Sequence, residues 1–371
     1  MKRFLSFMMV LMVSLFYMGN VADFTFAATN YTPIGGTTTI KKNLVVESDS
    51  NIPDINFGYT INSGTPVAAS TSTIEILASD QSASIGTASF SNDDTSHTIP
   101  GVPTDADPSS PTAGKKYAQK SVTVSFPNNS FTKPGVYRYV IHEVDGAKPG
   151  VTYDDTARYL DVFVVANPSD NTLSVDSYAL RNVATNIGTD GEYTSDPNVK
   201  IDGYTNSVTQ YDFDFSKTIT GNQGDKNKRF TFTVNISNAI PGTYPVESND
   251  VTGNPSSITI GTDGTFSATY DLTNGSTFKI NNLNKNAICT IQEDAQDYSP
   301  SHKIDGGATI GTNNSGNITL ANDSHSVAFT NTRQGIIPTG VLLIIAPFAV
   351  GILLFGAICI WMMAKRNREA Y

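Results

Sequence analysis

The chain has 371 residues, of which 24 are basic and 34 acidic, so its formal net charge is −10 at pH 7. This acidic balance argues against nucleic acid or an anionic membrane surface as a partner. The two cysteines, Cys289 and Cys359, offer no disulfide because the second lies in an apolar C-terminal run. The four histidines lie far apart, and metal-binding, nucleophile-elbow and phosphate-cradling motifs are missing from the sequence. We therefore predict neither an enzyme nor a bound cofactor or metal.

The first 27 residues have the features of a secretion signal. Lys2 and Arg3 precede a mostly apolar stretch, Leu5–Met18, and Ala27 ends an acceptable cleavage site. We predict an exported chain whose mature form begins near residue 28. Five of the basic and two of the acidic residues lie in the two predicted processed ends, so residues 28–339 keep a net charge of −13.

The mature chain has the composition of an all-β protein. Short runs of Val, Ile, Thr, Tyr and Phe alternate with polar residues between turns rich in Gly, Asn, Asp and Pro, which predicts β-sandwich domains. Tyr204-Thr205-Asn206 and Phe329-Thr330-Asn331 are near-identical strand ends and indicate a duplication. We place the two domains at 28–207 and 208–335, and we predict long loops over 63–111.

Alternation along the predicted strands puts charged and amide side chains in phase with apolar ones. Lys42 shares its strand face with Leu44, and Lys217 shares its face with Phe215. Each domain repeats one Lys, one Glu and one Asn in that order. The first trio is Lys42, Glu143 and Asn206, and the second trio is Lys217, Glu293 and Asn331. The alternative is that each Lys reaches solvent at a strand end and each Glu lies at the rim of the core.

The two trios have the functional groups for one particular reaction. An unpaired charge in an apolar core is costly, and burial lowers the pKa of a lysine and raises that of a glutamate. A neutral amine is a nucleophile, and a protonated carboxyl can donate a hydrogen bond to an amide carbonyl and assist proton transfer. Each trio is therefore equipped to form a Lys–Asn amide with release of ammonia, and its uncharged product no longer carries the cost of burial.

The end of the chain combines a Pro-Thr-Gly tripeptide with an apolar run. Residues 336–340 read Ile-Ile-Pro-Thr-Gly, residues 341–364 are predominantly apolar, and residues 365–371 carry Lys and Arg. An apolar run of this length predicts a transmembrane helix with a cytoplasmic basic tail. The tripeptide resembles the cell-wall sorting signal of Gram-positive surface proteins, which a sortase cleaves between Thr and Gly, here Thr339 and Gly340. An ordinary tail-anchored protein is the alternative.

Several motifs follow one another along the mature chain. They are Lys42-Asn43-Leu44, Gly135-Val136-Tyr137-x-Tyr139, Glu143, Pro149-Gly150-Val151-x-Tyr153-Asp154, Phe329-Thr330-Asn331 and the Pro-Thr-Gly tripeptide. In this order they resemble the streptococcal T-antigen-like major pilins. The resemblance implies tandem immunoglobulin-like domains of the CnaB type, each carrying an autocatalytic Lys–Asn isopeptide bond promoted by a Glu.

Carried over to this sequence, the resemblance implies two internal bonds. They are Lys42–Asn206 with Glu143, and Lys217–Asn331 with Glu293. Lys41 is the alternative to Lys42, although it lies on the strand face of Thr39 and Asn43. The sorting motif departs from the usual Leu-Pro-x-Thr-Gly because two isoleucines replace Leu and Pro and no residue separates Pro from Thr. This departure leaves the identity of the sortase open.

The resemblance further implies the backbone subunit of a covalent pilus on the surface of a Gram-positive bacterium. A pilus-specific sortase would join Thr339 of one subunit to a lysine of the next identical subunit, giving a head-to-tail polymer. Accessory pilins and peptidoglycan are further possible partners, and the membrane holds only the precursor. Lys200, six residues before Asn206 in a turn-rich segment, is the predicted acceptor. An ordinary solvated lysine at this position is the alternative.

Two other functional classes compete with a pilin. A wall-anchored adhesin that never polymerises would use the same domains as a stalk and present a ligand-binding loop within 63–111. A secreted hydrolase would need Glu143 or Glu293 for catalysis, but both are assigned to bond formation, and the sequence shows no paired-carboxylate cleft.

Overall fold

The computed structural model describes residues 30–79, 82–98, 115–194, 200–250, 252–335 and 339–368. The predicted signal peptide, residues 1–27, lies outside the described residues. Strands dominate the described chain and form two successive β-sandwiches, which confirms the predicted fold of two tandem immunoglobulin-like domains.

The first sandwich consists of two sheets packed around one core. Its strands are β1 Ile34–Glu47, β2 Ile55–Ser63, β3 Ile76–Leu77, β4 Ser84–Ile85, β5 Ala88–Phe90, β6 Ser96–Thr98, β7 Lys115–Phe131, β8 Gly135–Val144, β9 Val151–Thr152, β10 Arg158–Ala166, β11 Leu173–Arg181 and β12 Gly203–Val208. One sheet has the order β4-β7-β1-β12-β9, with β6 also paired to β7. The other sheet has the order β11-β10-β8-β2-β5, with β3 also paired to β8.

The second sandwich repeats this plan with fewer strands. They are β13 Gln210–Thr220, β14 Phe230–Ser237, β15 Gly242–Ser248, β16 Ser257–Ile260, β17 Phe266–Leu272, β18 Thr277–Asn284, β19 Ile288–Glu293, β20 Ser299–Ile304, β21 Ile318–Thr319 and β22 His325–Thr332. One sheet has the order β16-β15-β18-β13-β22-β20, and the other β17-β14-β19-β21. The predicted domain boundary at 207/208 falls at the last residues of β12.

Alternation explains how these strands form two separate cores. In β13, Phe213, Phe215 and Ile219 are buried while their neighbours are partly exposed, as expected for a strand with one face on a core. The first core is built around residues such as Leu44 and Tyr139, and the second around the phenylalanines of β13 and β14. Each core receives alternate residues from the strands of its own sandwich, and Ile240, from the turn between β14 and β15, also packs into the first core.

The long loops predicted over 63–111 are only partly loops. The described part of this segment contains four short strands, β3 to β6, which pair with β8, β7, β2 and β7 in turn. Runs of two or three residues carry too little periodicity to be predicted as strands, and pairing with long central strands stabilises them here. Residues 99–114 lie outside the described residues.

The last described element is the helix α1, Thr339–Arg368. It begins two residues before the predicted span of 341–364 and ends four residues after it. In the part of the chain that the structure describes, no helix combines the length and apolar character that crossing a membrane requires. The transmembrane anchor therefore remains a prediction.

Candidate functional site

The first and last strands of each sandwich lie side by side and run parallel, and this pairing positions the trios. In the first sandwich, Lys42 of β1 pairs with Tyr204 of β12, and Asn206 lies two residues further along. Residues two apart share a strand face, so Asn206 lies on the same face as Lys42. Gly203 permits the close approach of the two strands, because a Cβ there would lie 1.7 Å from the Lys41 carbonyl oxygen.

The second sandwich repeats this register. Lys217 of β13 pairs with Phe329 of β22, and Asn331 again lies two residues further along the parallel partner. The glutamate of each trio comes from the opposite sheet, at the end of β8 in the first sandwich and of β19 in the second. The same arrangement of three strands thus delivers the same three side-chain types into both cores.

In the first trio, Glu143 contacts both other members. Lys42 Nζ donates to Glu143 Oε1 at 2.9 Å and to Oε2 at 2.7 Å, and Asn206 Nδ2 donates to Oε1 at 2.5 Å. The main-chain N–H of Asp154 donates to Asn206 Oδ1 at 3.0 Å. Lys42 is 0% exposed and Asn206 1% exposed, so the contacts lie inside the core.

In the second trio, Glu293 has the same central position. Lys217 Nζ donates to Glu293 Oε1, and Asn331 Nδ2 donates to the same oxygen at 2.8 Å. Lys217 and Asn331 are both 0% exposed. Among the described residues, Glu293 Oε2 and Asn331 Oδ1 have no hydrogen-bond partner. All six predicted trio residues therefore lie where the alternation pattern places them, three in each core.

The electrostatics of both trios follow from burial. Loss of water lowers the pKa of Lys42 and of Lys217 to about 8, although hydrogen bonds and charge attraction from the glutamate oppose this shift. Burial likewise raises the pKa of Glu143 and of Glu293 against the opposing effect of the lysine. Each pair is thereby shifted from an ion pair towards a neutral amine and a neutral acid.

An aromatic ring faces each buried lysine, a contact that strand alternation alone does not indicate. Lys42 Nζ lies 4.3 Å from the ring centroid of Phe57, and Lys217 Nζ lies 4.4 Å from that of Phe230. Both rings belong to the second strand of their sandwich, where the alternating pair Phe57-x-Tyr59 resembles Phe230-x-Phe232. Comparison of the two strands would have identified these rings.

The arrangement suits amide formation between lysine and asparagine. A neutral lysine amine that attacks Asn Cγ forms the new C–N bond, and the bond to Nδ2 breaks as ammonia leaves. The glutamate contacts both nitrogen atoms, so it can accept a proton from the attacking amine and deliver one to the departing nitrogen. In the first trio, the N–H of Asp154 also lies where negative charge would develop on Asn206 Oδ1.

The structure separates the two candidate lysines of β1. Lys41 points away from the core, where its Nζ forms an ion pair with Asp202 at 2.9 Å, and its side chain is 47% exposed. Only Lys42 lies beside Glu143 and Asn206. Of the two, Lys42 is therefore the residue placed for amide formation.

The residues predicted to join subunits lie on separate parts of the chain. Lys200 is exposed and forms a single antiparallel bridge with Arg181 at the end of β11. Thr339 and Gly340 are the first two residues of α1, and residues 336–338 of the sorting motif lie outside the described residues. Within the described ranges, no group of three or more His, Cys, Asp or Glu side chains is arranged to hold a metal ion.

Family comparisons divide the chain in the same way as the two sandwiches. Residues 38–194 match the Spy0128-like isopeptide containing domain, and residues 211–333 match a domain of unknown function (DUF7601). A curated protein described as a pilin, from Streptococcus pyogenes serotype M1, is 27% identical over 263 residues, covering 67% of this chain and 72% of that protein.

Solved structures of pilins share the fold. The major pilin from Streptococcus pyogenes aligns with a TM-score of 0.50 and 19% identity, covering 83% of this chain and 100% of that one. The major pilin T3.2 from the same species aligns with a TM-score of 0.50 and 17% identity, covering 80% of this chain and 97% of that one. The resemblance to streptococcal major pilins that the motifs predict is therefore confirmed.

Proposed function

We propose that this chain is the backbone subunit of a covalent pilus, a structural protein rather than an enzyme. The observation that carries the proposal is the pair of buried trios, which occur in the same register in both sandwiches of a chain that resembles major pilins. An extracellular chain without disulfides gains from another covalent cross-link, and two buried Lys–Glu–Asn groups are otherwise an expensive feature of a core.

Two internal isopeptide bonds are proposed. The first bond joins Lys42 to Asn206 with Glu143 as the acid–base group. The second bond joins Lys217 to Asn331 with Glu293 in that role. Burial of the lysines, the depressed pKa of each amine and the contact of each glutamate with both nitrogen atoms support these assignments.

Polymerisation is proposed to use Thr339 and Lys200. A sortase thiol would attack the Thr339 carbonyl, releasing the chain from Gly340 onwards and leaving a thioester. The Lys200 amine of another subunit would then attack this thioester, so that the C–N bond forms, the C–S bond breaks and the thiol recovers a proton. The exposure of Lys200 supports its role, whereas burial excludes Lys42 and Lys217 as acceptors for an external enzyme.

The processed ends are proposed from the sequence pattern. Residues 1–27 would direct export, residues 341–364 would hold the precursor in the membrane with residues 365–371 in the cytoplasm, and the mature chain would reach the cell wall. The large apolar side chains described in the second half of α1, such as Phe355 and Ile360, are exposed, which suits a helix that requires an apolar environment.

The ladder of multimers on the native cell tests polymerisation. Cell-wall extracts should contain a series of multimers that resist sodium dodecyl sulfate, and Lys200→Ala should abolish the series while leaving the monomer folded. Lys148→Ala, which removes another exposed lysine of the first sandwich, is the matched control and should keep the ladder. Monomers alone in the wild type would contradict a pilin and favour the non-polymerising adhesin.

A further inference from the structure

A buried ion pair lies on the outer face of the first sandwich, away from both trios. In β8, Tyr137 and Tyr139 point into the main core, so Arg138 between them points outwards. Arg138 donates to both carboxylate oxygens of Asp161 on β10, Nε to Oδ1 at 2.6 Å and Nη2 to Oδ2 at 2.7 Å. Their side chains are only 4% and 0% exposed, although they lie on the face that ordinarily meets solvent.

A segment of irregular backbone covers this ion pair. We call residues 182–194, which follow β11, the strap. The Thr185 carbonyl of the strap accepts from Arg138 Nη2 at 2.6 Å, and the Tyr193 hydroxyl donates to Asp161 Oδ2 at 2.9 Å. Ile187 of the strap joins a small apolar cluster with Ile74 and Val136, and the Ile74 N–H donates to the Ile187 carbonyl at 2.9 Å. The ion pair thus lies at the centre of the contacts between strap and sheet.

Arg181, at the end of β11, connects the strap with the proposed acceptor lysine. The guanidinium of Arg181, the last residue of β11, lies 3.6 Å from the ring centroid of Tyr193. The backbone of Arg181 also forms the bridge to Lys200, and the Ile201 N–H donates to the Leu180 carbonyl at 3.0 Å. Arg181 therefore contacts the strap with its side chain and the acceptor segment with its main chain. Lys200 is held against the end of a strand while its side chain is exposed.

We propose that Arg138, Asp161 and Tyr193 are positioning residues for polymerisation, which hold the strap so that the Lys200 amine is presented from an ordered backbone. The inference rests on the proposed function of Lys200 as acceptor. An ordered backbone lowers the entropy lost when the amine is aligned with a thioester held by the sortase. The ion pair lies outside the core that holds the two sheets together, and its contacts are to the strap. Because a buried ion pair adds little to stability, this placement suits a role in orienting the strap.

The test uses full-length chains that can react at one end only. Chains with Thr339→Ala can act only as acceptors, and chains with Lys200→Ala only as donors. In the acceptor, Arg138→Met, Asp161→Leu and Tyr193→Phe together remove both charges of the ion pair and the hydroxyl that ties the strap to it, and we call this the network variant. Glu192→Gln, an exposed position in the strap, is the matched control. Donor and acceptor are incubated with the pilus sortase, and the rate of covalent dimer formation is measured.

The expected result is a rate of dimer formation lower by about 10- to 100-fold for the network variant, as misorientation of a reacting group produces. The same substitutions in the donor chain should leave the rate unchanged, and the control should react as the parent acceptor does. Hydrogen exchange at the Ile201 amide should become faster, while the first bond still forms, as intact mass reports. These readouts separate loss of positioning from loss of folding.

Two results would overturn the inference in distinguishable ways. An unchanged rate in the network variant, together with no reaction of a Lys200→Arg acceptor, would refute the positioning role and spare Lys200 as acceptor. Continued reaction of the Lys200→Arg acceptor would refute Lys200 itself, and the positioning role with it.

Discussion

The two trios share one backbone register and differ in the hydrogen bonds around it. In the first trio, both carboxylate oxygens of Glu143 accept from Lys42, and the Asp154 N–H donates to Asn206 Oδ1. Glu143 also lines a pocket with Asp154 that opens to solvent. The polar atoms of the first trio are thus paired before any covalent bond forms.

The second trio leaves two buried oxygen atoms without a partner among the described residues, Glu293 Oε2 and Asn331 Oδ1. An unpaired buried polar group costs about 1–3 kcal/mol. A proton on Glu293 Oε2 would provide a donor close to the amide, so the second environment favours the neutral acid that the reaction needs. The strand register therefore decides which groups meet, whereas the surrounding hydrogen bonds decide how strongly the reactive protonation state is favoured.

The two proposed bonds also differ in their place along a fibre. In the proposed polymer, tension entering at Lys200 would follow the main chain to Lys217, cross the second bond to Asn331 and leave at Thr339. The first bond and the chain before Lys200 lie beside this path. The second bond would therefore carry the load, whereas the first bond would stabilise a domain that is attached beside the load-bearing path.

Stretching of single fibres tests this asymmetry and should show the largest effect. Asn331→Ala should let the second sandwich unfold under load, because roughly 110 residues between Lys217 and position 331 can then extend by about 35 nm per subunit. Asn206→Ala should add no comparable length. Equal lengthening in both variants, measured by force spectroscopy, would show that the load does not enter at Lys200.

Thermal unfolding should respond to both bonds, one sandwich at a time. By the chain-entropy argument used for disulfides, a cross-link that closes a loop of about 100 residues stabilises by about 4–5 kcal/mol. Asn331→Ala should therefore lower the melting temperature of the second sandwich and expose it to proteases. Asn206→Ala should have the same two effects on the first sandwich. An unchanged melting curve despite proven loss of the bond would refute the stabilising role.

The depressed pKa of Lys217 predicts a pH dependence that only the unbonded variant shows. In folded Asn331→Ala the amine pKa is expected near 8, whereas in the unfolded chain it is near 10.5. The unfolded state then binds more protons between these values, so the free energy of unfolding rises with pH across this window, by at most about 3 kcal/mol. In the bonded protein Lys217 is an amide and cannot titrate. Denaturant titrations at several pH values measure the free energy of unfolding of the bonded protein and of Asn331→Ala. The amount by which the bonded protein is more stable should shrink as pH rises from 8 to 10.5.

The smallest effect concerns one hydroxyl group that distinguishes the two sites. Tyr59 pairs across the strands with Glu143, and Phe232 holds the equivalent position opposite Glu293. Because Tyr59 Oη is buried without a hydrogen-bond partner in the described structure, Tyr59→Phe should stabilise the first sandwich by about 1–3 kcal/mol and leave the first bond intact. Phe232→Tyr should destabilise by about 1–3 kcal/mol, since it adds an unpaired hydroxyl. Loss of the first bond in Tyr59→Phe would reveal a role for the hydroxyl in the reaction.

Much of this arrangement could be predicted from the sequence because strand alternation has a strict period. The same rule that buries Phe215 also buries Lys217, and it separates Lys42 from its neighbour Lys41 without any knowledge of the fold. Parallel pairing of the first and last strands then follows from the immunoglobulin-like resemblance, and it brings Asn206 within reach of the lysine.

Features that depend on irregular backbone could not be predicted in this way. The donor to Asn206 Oδ1 is a main-chain N–H of Asp154, and every residue type except proline offers the same group. The strap over Arg138 and Asp161 has no periodicity, and alternation alone would leave both charges facing solvent. The short strands β3 to β6 were missed because their pairing depends on partners far away in sequence.

The intact mass of the mature chain tests the central claim most directly, because each Lys–Asn bond expels one molecule of ammonia. Mass spectrometry should find the chain lighter than its sequence by two molecules of ammonia. Glu143→Ala and Glu293→Ala should each restore one ammonia, and the variant with both substitutions should restore two. A wild-type mass equal to that of the sequence would contradict the account. The loss of only one ammonia would refute one of the two bonds, namely the bond in the sandwich whose Glu→Ala substitution does not change the number of ammonia molecules lost.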